Sequence, residues 1–167
     1  MTFLQDSMID FETNVETTYS ISERGLNLIK SFETFKSHIY HCSAGLAIIG
    51  YGKVLNTQEE QMYKSQELTK EKAEFLLRKE LAYYEGIVNQ FIRSDINQNQ
   101  YDALVSFVYN TGIFSFKKSG LLKKVNINPL DNTIEDEFMK WAFCNGIRQS
   151  ALALRRKAES DHYFELI

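Results

Sequence analysis

The sequence has few of the residues that mark linkers, disulfide frameworks or membrane spans. One proline and eight glycines among 167 residues argue against a long disordered linker. The two cysteines, Cys42 and Cys144, are too few for a disulfide framework. No uncharged apolar run approaches the roughly 18 residues of a transmembrane helix, so we expect no stable membrane insertion. The length suits a single soluble domain.

The first residues also lack the features of a secretory leader. They contain neither a basic start nor a continuous apolar segment, so we expect no signal peptide. The expected site of synthesis is therefore the cytoplasm.

The net charge of −3 is distributed unevenly and excludes a general nucleic-acid binder. Residues 1–20 carry four acidic side chains and no lysine or arginine, and without them the chain is close to neutral: Asp6, Asp10, Glu12 and Glu16. Because this stretch has no sustained apolar period, we expect a loosely ordered acidic extension. It could dock on the body or contact a protein partner, and the sequence leaves both open.

A carboxylate is predicted on the apolar face of the first helix. Ser22 is a good N-cap for a helix that runs to about Phe32. Leu26, Ile29 and Glu33 follow at i, i+3 and i+7, so Glu33 shares the face that buries apolar side chains. Such a placement is unfavourable unless the charge is paired.

The rest of the chain predicts a small sheet followed by helices. Residues 38–55 alternate strand-forming side chains with glycines and predict short antiparallel strands, and residues 56–68 read as a polar loop. The later helices are expected over residues 69–91 (capped by Thr69), 98–110 (capped by Asn97, buried), 115–125, 134–144 (capped by Thr133) and 150–163.

One segment joins the acidic residue to a glycine-rich turn at a distinctive spacing. Glu33 is followed after nine residues by Cys42 and after six more by Ile48, which opens Ile48-Ile49-Gly50-Tyr51-Gly52. This segment resembles the active-site region of the phage-type lysozymes, glycoside hydrolase family 24. Further segments extend the resemblance to residues 21–163: 100–107 with Asn110 and Gly112, 121–124, 138–141 and 155–159.

The resemblance implies a mainly helical α+β fold with two lobes. A single lysozyme-like domain would cover residues 21–167. Its small lobe, residues 21–68, would hold the antiparallel sheet, and the helix over 69–91 would connect it to a helical lobe over 92–167.

The resemblance also implies an active site. Glu33 would be the acid that protonates the leaving oxygen, while the residues at Cys42 and Ile48 would hold the attacking water. Two positions depart from the family, which has Thr where this chain has Ile48 and usually His where it has Lys53. Ile48 has no polar atom to offer.

Three further residues are expected to contact or support substrate, each with a structural alternative. Tyr51 could be a ligand residue or part of a turn, and Asn110 could face the cleft or end its helix. Arg155 and Arg156 could be surface charges, or at least one of them could support the site, and a cation at Arg155 could pair with Glu33. Likewise Cys42 could be catalytic or simply a small buried side chain. No metal or cofactor is expected, because this chemistry needs neither.

The leading function is therefore hydrolysis of the β-1,4 glycosidic bond of bacterial peptidoglycan, on the wall, after release or delivery of the protein. The alternative is a lysozyme fold that has lost catalysis and binds a glycan or a protein. Ile48 and Lys53 favour this alternative.

Overall fold

The structure, a computed structural model, describes residues 19–42 and 44–165. Within these residues the helices are α1 (Glu23–Phe32), α2 (Thr57–Tyr63), α3 (Lys70–Phe91), α4 (Gln98–Thr111), α5 (Ile113–Lys118), α6 (Gly120–Ile127), α7 (Ile134–Met139) and α8 (Ser150–Phe164). The strands are β1 (Lys36–His41), β2 (Ala47–Gly50), β3 (Lys53–Val54), β4 (Phe143–Cys144) and β5 (Ile147–Arg148). The expected fold class, mainly helical with a small antiparallel sheet, is confirmed.

The sheet near the N-terminus is an antiparallel meander in the order β1-β2-β3. Tyr40 pairs with Ile48, and Ile48 pairs with Val54, so these three side chains share one face. The neighbouring residue Ile49 points to the other face and is fully buried against the core. The division of the chain into two lobes around α3 stays a prediction.

Helix α4 forms the centre of the helical core. Residues 99–108 are all buried, and the apolar ones belong to the hydrophobic core, as expected. The side chain of Asn97 accepts from the backbone of Gln100, whose side chain accepts in return from the backbone of Asn97. This reciprocal cap starts the helix where the sequence predicts it.

A buried carboxylate fastens α1 to α4. Ser22 caps α1 by accepting from the backbone of Gly25, as expected. Asp102 of α4 accepts from the backbone N–H and from the hydroxyl of Ser22. The two helices approach so closely that a Cβ at Gly25 would lie 2.5 Å from Cγ of Asp102. The start of α1 is therefore held by a residue 80 positions later in the chain.

The end of the predicted acidic extension lies against the body. The ring of Tyr19 stacks on Tyr101 with ring centroids 5.3 Å apart, and its hydroxyl donates to the carbonyl of Ile96 at 2.6 Å. The side chain of Gln98 donates to the carbonyl of Ser20. Residues 1–18, which hold the four acidic side chains, lie outside the described residues.

The polar loop expected over residues 56–68 is wrong in its first half, which forms α2. Asn56 accepts from the backbones of Gln58 and Glu59, and Glu59 accepts in return from the backbone of Asn56. This capping box stabilises a short helix that has little apolar periodicity. The cap was therefore the feature of the sequence that could have predicted the helix.

The single helix expected over residues 115–125 is also wrong. Ser119 separates α5 from α6, and its backbone is extended at φ −69° and ψ 149°. Its hydroxyl donates to the carbonyl of Phe116 and accepts from the backbone of Leu122, so one side chain serves the end of α5 and the start of α6.

The helix expected over residues 134–144 ends early, at Met139, and a hairpin of β4 and β5 follows. Asn145 and Gly146 both have positive φ, 51° and 76°, as the two central residues of a tight hairpin turn require. Thr133 is the N-cap residue, but its hydroxyl donates to Asp131 and makes no cap hydrogen bond.

The close approach at Gly25 predicts a large effect of one methyl group. Gly25→Ala should lower the free energy of unfolding by about 2 kcal/mol or more, because the new Cβ would overlap Asp102. Gly86→Ala is the matched control, because Gly86 is an exposed helical glycine with nothing within 4 Å of its added Cβ. It should be neutral or stabilising by up to roughly 1 kcal/mol. Equal effects in urea unfolding would contradict this account of the α1–α4 contact.

Asp102 should also give the fold part of its acid sensitivity. Burial alone would raise the pKa of Asp102, but the neighbouring His162 and hydrogen bonds from Ser22 and Gln98 outweigh it and hold this pKa below its usual value. Because the unfolded chain binds this proton more readily, the stabilisation is present above the unfolded pKa, near 3.9, and is lost as pH falls.

Asp102→Asn should therefore flatten the decline of unfolding free energy below about pH 5, besides lowering this free energy at neutral pH by about 1–3 kcal/mol. Asp161→Asn removes an exposed, lysine-paired carboxylate of α8 and is the control. It should change stability by less than about 1 kcal/mol. An unaltered pH slope in Asp102→Asn would show that other groups govern acid unfolding.

Candidate active site

Glu33 lies where the chain leaves α1 for the sheet. It is the C-cap residue, with an extended backbone at φ −105° and ψ 120°. Its side chain therefore does not continue the helical arrangement of the side chains of α1. The turn between β2 and β3 approaches it: a Cβ at Gly52 would lie 3.6 Å from Oε2 of Glu33. Gly52 has φ +95°, which favours glycine and lets the backbone approach the carboxylate.

The partner of Glu33 comes from the last helix. Nη1 of Arg155 lies 2.8 Å from Oε1 of Glu33, across 122 residues of sequence. The Arg155 side chain is 5% exposed and that of Glu33 23%, so the pair is mostly screened from water but open on the carboxylate side. The guanidinium also packs over the ring of Phe32, 5.5 Å from its centroid. Arg155 is thus buried at the site and is not a surface charge.

A second carboxylate, fully buried, holds this arginine in place. Glu159 accepts from Nε of Arg155 at 3.1 Å and from the hydroxyl of Ser106 at 2.7 Å. Its other oxygen lies 2.9 Å from Nε of Arg156, which is also fully buried. Burial raises the pKa of Glu159, and the two guanidinium charges oppose that rise. Protonation would leave Arg156 buried without a counter-ion and Arg155 with Glu33 alone, so the network favours the carboxylate form.

Arg156 connects the same network to Asn110. Its Nη2 donates to Oδ1 of Asn110 at 2.9 Å, and its guanidinium carbon lies 5.0 Å from the ring centroid of Phe107. Asn110 itself is exposed near the end of α4. With the carbonyl oxygen bound to Arg156, the amide N–H groups of Asn110 point away from that arginine.

Two further titratable groups lie near Glu33. One carboxylate oxygen of Glu80, on α3, is buried and has no hydrogen-bond partner among the residues that the structure describes. Burial raises the pKa of Glu80, the charge of Glu33 adds to the rise, and Lys53 opposes it. Burial likewise raises the pKa of Tyr109, so its hydroxyl remains a donor, and it donates to the carbonyl of Tyr51 at 3.4 Å.

The sheet positions the other predicted site residues. Cys42 is half-buried at the end of β1, where its backbone N–H donates to the carbonyl of Leu46. Ile48 is half-buried in β2, between Tyr40 and Val54. Within the described part of the chain, no hydrogen bond joins the Cys42 thiol to Glu33. The catalytic roles of both residues stay predictions.

Tyr51 and Lys53 have structural contacts. The Tyr51 ring is 8% exposed and packs on Phe35, with centroids 5.4 Å apart, and it contacts the site through its carbonyl. Its contact with substrate stays a prediction. Lys53 lies 3.0 Å from Glu59 of α2.

The sequence had not placed Glu159, Ser106, Tyr109 or Glu80 in the site, and it left Arg156 open as a surface charge or a site support. For Glu159 a signal was present, because Arg156 and Arg155 precede it by three and four residues on one helix. Ser106 and Tyr109 are brought in by the packing of α4, which no local pattern shows. Among residues 19–42 and 44–165 no group of three His, Cys, Asp or Glu side chains is arranged to bind a metal ion.

Several known proteins are similar to this chain in sequence and in fold. An endolysin of Acyrthosiphon pisum secondary endosymbiont phage 1 is 40% identical over 143 residues, covering 83% of this chain and 94% of that protein. An endolysin of Bacillus phage B103 is 35% identical over 142 residues, covering 84% of this chain but 52% of that protein. The solved muramidase domain of SpmX from Asticaccaulis excentricus has a TM-score of 0.78 and 31% identity, covering 89% of this chain and 99% of that one.

The phage lysozyme family also matches residues 30–159, a range that contains Glu33 and both arginines and ends at Glu159. Family, relatives and fold agree on one assignment, and the chain belongs to the phage lysozyme family.

Proposed function

We propose that the protein is a muramidase of glycoside hydrolase family 24, which hydrolyses the β-1,4 glycosidic bond of bacterial peptidoglycan. The observation that carries the proposal is the partly open carboxylate of Glu33, held 2.8 Å from a buried arginine beside a glycine turn. The related endolysins and the similar muramidase domain support it.

Glu33 acts as the general acid of this reaction. It gives its proton to the glycosidic oxygen, the bond from that oxygen to the anomeric carbon breaks, and a water molecule bonds to that carbon. The water releases a proton to solvent, and Glu33 is protonated again for the next cycle. Arg155 keeps the carboxyl group in position throughout, because its other contacts are buried.

Asn110 contacts the glycan in this proposal. Its carbonyl oxygen is bound to Arg156, so its amide N–H groups remain for the hydroxyl or acetamido oxygens of a sugar. Arg155 influences the reaction through its contact with Glu33. Tyr51 contributes through its backbone carbonyl, which accepts a hydrogen bond from the Tyr109 hydroxyl.

The apolar side chain of Ile48 weakens the enzyme. An attacking water needs polar atoms within hydrogen-bond reach, and Ile48 has none. Cys42 supplies a thiol as the remaining polar group at the expected positions. We therefore expect slower hydrolysis than a threonine at this position would allow.

The apolar side chain of Ile48 also favours a second candidate, a lysozyme fold that binds glycan or a protein without cleaving it. In that case the buried network around Glu159 is a structural remnant. The acidic residues 1–20 stay the predicted contact for a protein partner of such a module.

The expected route to the wall starts in the cytoplasm and ends with release or delivery of the protein. None of the helices that the structure describes is long and apolar enough to cross a membrane.

The identity of the acid is tested by an isosteric change. Glu33→Gln removes the proton donor and should lower the rate of bacterial wall hydrolysis by about 10²-fold or more, measured as loss of turbidity. Glu23→Gln is the control, because Glu23 lies at the other end of α1 and also pairs with an arginine, Arg78. It should retain full activity. Wall hydrolysis that survives Glu33→Gln would remove Glu33 from the mechanism.

The role of position 48 is tested by restoring a hydroxyl. Ile48→Thr should raise the rate of wall hydrolysis by about tenfold or more, because the hydroxyl can hold the attacking water. The same change should lower the melting temperature, since it removes partly buried apolar surface. Val54→Thr, a change at the cross-strand neighbour of Ile48, should leave the rate unchanged.

Two results would count against this account. Absence of hydrolysis at any pH in both the wild type and Ile48→Thr would favour the binding module. A fast wild type that gains nothing from Ile48→Thr would show that another group positions the water.

A further inference from the structure

The side chains around Glu33 form one buried charge network with two arms. Glu159 lies at its centre and is fully buried, with Arg155 at 3.1 Å and Arg156 at 2.9 Å. Arg155 continues to Glu33, and Arg156 continues to Asn110. Two carboxylates thus balance two guanidinium groups.

This balance matters because a general acid must carry a proton when it acts. An arginine 2.8 Å from a carboxylate favours its ionised form and so opposes protonation of Glu33. Arg155 cannot turn away, since its guanidinium is buried over the Phe32 ring. A second anion beside Arg155 would weaken that opposition, and Glu159 is this anion.

We propose that Glu159 is a positioning residue that shares the charge of Arg155 with Glu33 and thereby makes it less unfavourable for the acid to carry its proton. The inference rests on the proposed muramidase function and adds a role for a residue that touches neither substrate nor reacting atoms. When Glu33 is protonated, Arg155 keeps a buried counter-ion, so protonation leaves no isolated charge on that arm.

The second arm gives Glu159 an effect on substrate binding. Arg156 reaches Asn110 only while it is held against Glu159, from which its Nη2 is 3.0 Å and its Nε 2.9 Å distant. Loss of the carboxylate charge would leave Arg156 buried without a counter-ion and free the Asn110 amide to rotate. One residue therefore acts on the acid through Arg155 and on the glycan contact through Arg156.

Other titratable groups near Glu33 are the same in all of the variants. Glu80 of α3 and the Tyr109 hydroxyl of α4 lie within electrostatic reach of Glu33, and Lys53 of β3 lies near Glu80. Around Glu159 itself, the hydroxyl of Ser106 donates from α4, and the two arginines belong to α8.

The test is the pH profile of wall hydrolysis, with kcat and KM measured separately on a soluble peptidoglycan fragment. In Glu159→Gln, Arg155 has Glu33 as its remaining anionic partner. The alkaline limb of the profile should therefore move to lower pH by about one unit. KM should also rise several-fold as the hold on Asn110 is lost. A purely structural role would lower kcat alike at every pH and leave the limb in place.

Glu137→Gln is the matched control. Glu137 is another buried carboxylate between two cations, Lys140 at 2.8 Å and Lys124 at 3.7 Å, and it lies outside the site. Its removal should not move the alkaline limb.

Ser106→Ala covers the case in which Glu159→Gln does not fold. Without the serine hydroxyl, Glu159 loses a donor that stabilises its charge, so the limb should move the same way as in Glu159→Gln, to lower pH, but by less. Downward shifts in both variants support the proposal, as does the smaller downward shift alone when Glu159→Gln is unfolded. An active wild type whose limb moves in neither variant overturns the role of Glu159 alone. An inactive wild type overturns the proposed function as well.

Discussion

Burial of Glu159 between two arginines is the constraint on which the arrangement of the site depends. The carboxylate is completely shielded from water, and removing one partner of such a buried pair typically destabilises a fold by about 3–5 kcal/mol. The contact requires α8 to pack fully on α4, because Ser106 of α4 donates to the same carboxylate. Arg155 reaches Glu33 only in that packed arrangement, so Glu33 acquires its partner when the helical core is complete.

The site therefore combines rigid and exposed parts. Arg155, Arg156 and Glu159 are buried and immobilise one another, whereas Glu33 and Asn110, at the two ends of the network, keep a side open to water. Chemistry on a polymer needs this combination, because the reacting group must be reachable while its supports exclude solvent. Several buried N–H groups of the two arginines have no hydrogen-bond partner, an energetic cost that the ion pairs and ring contacts offset.

Local signals predicted the parts of the fold that local chemistry decides. Ser22, Thr69 and Asn97 cap the helices that they were expected to cap, since a cap needs only a side chain and the next turn of backbone. The errors followed from signals that compete. The predicted helices ran on past Ser119 to residue 125 and past Met139 to residue 144. Capping by Ser119 and the hairpin turn at Asn145-Gly146 overrode them.

The sequence by itself determined the elements of the site that lie close together in the chain. The spacing of Glu33, Cys42 and the glycine turn, together with the downstream segments as far as residues 155–159, indicated the family through their resemblance to phage-type lysozymes. Each of these segments is short, so it can be recognised without knowledge of the packing. Only the tertiary structure decided that Arg155 meets Glu33. Residues 122 positions apart are brought together by the packing of α1, α4 and α8, and no local pattern encodes which buried charges will then face each other.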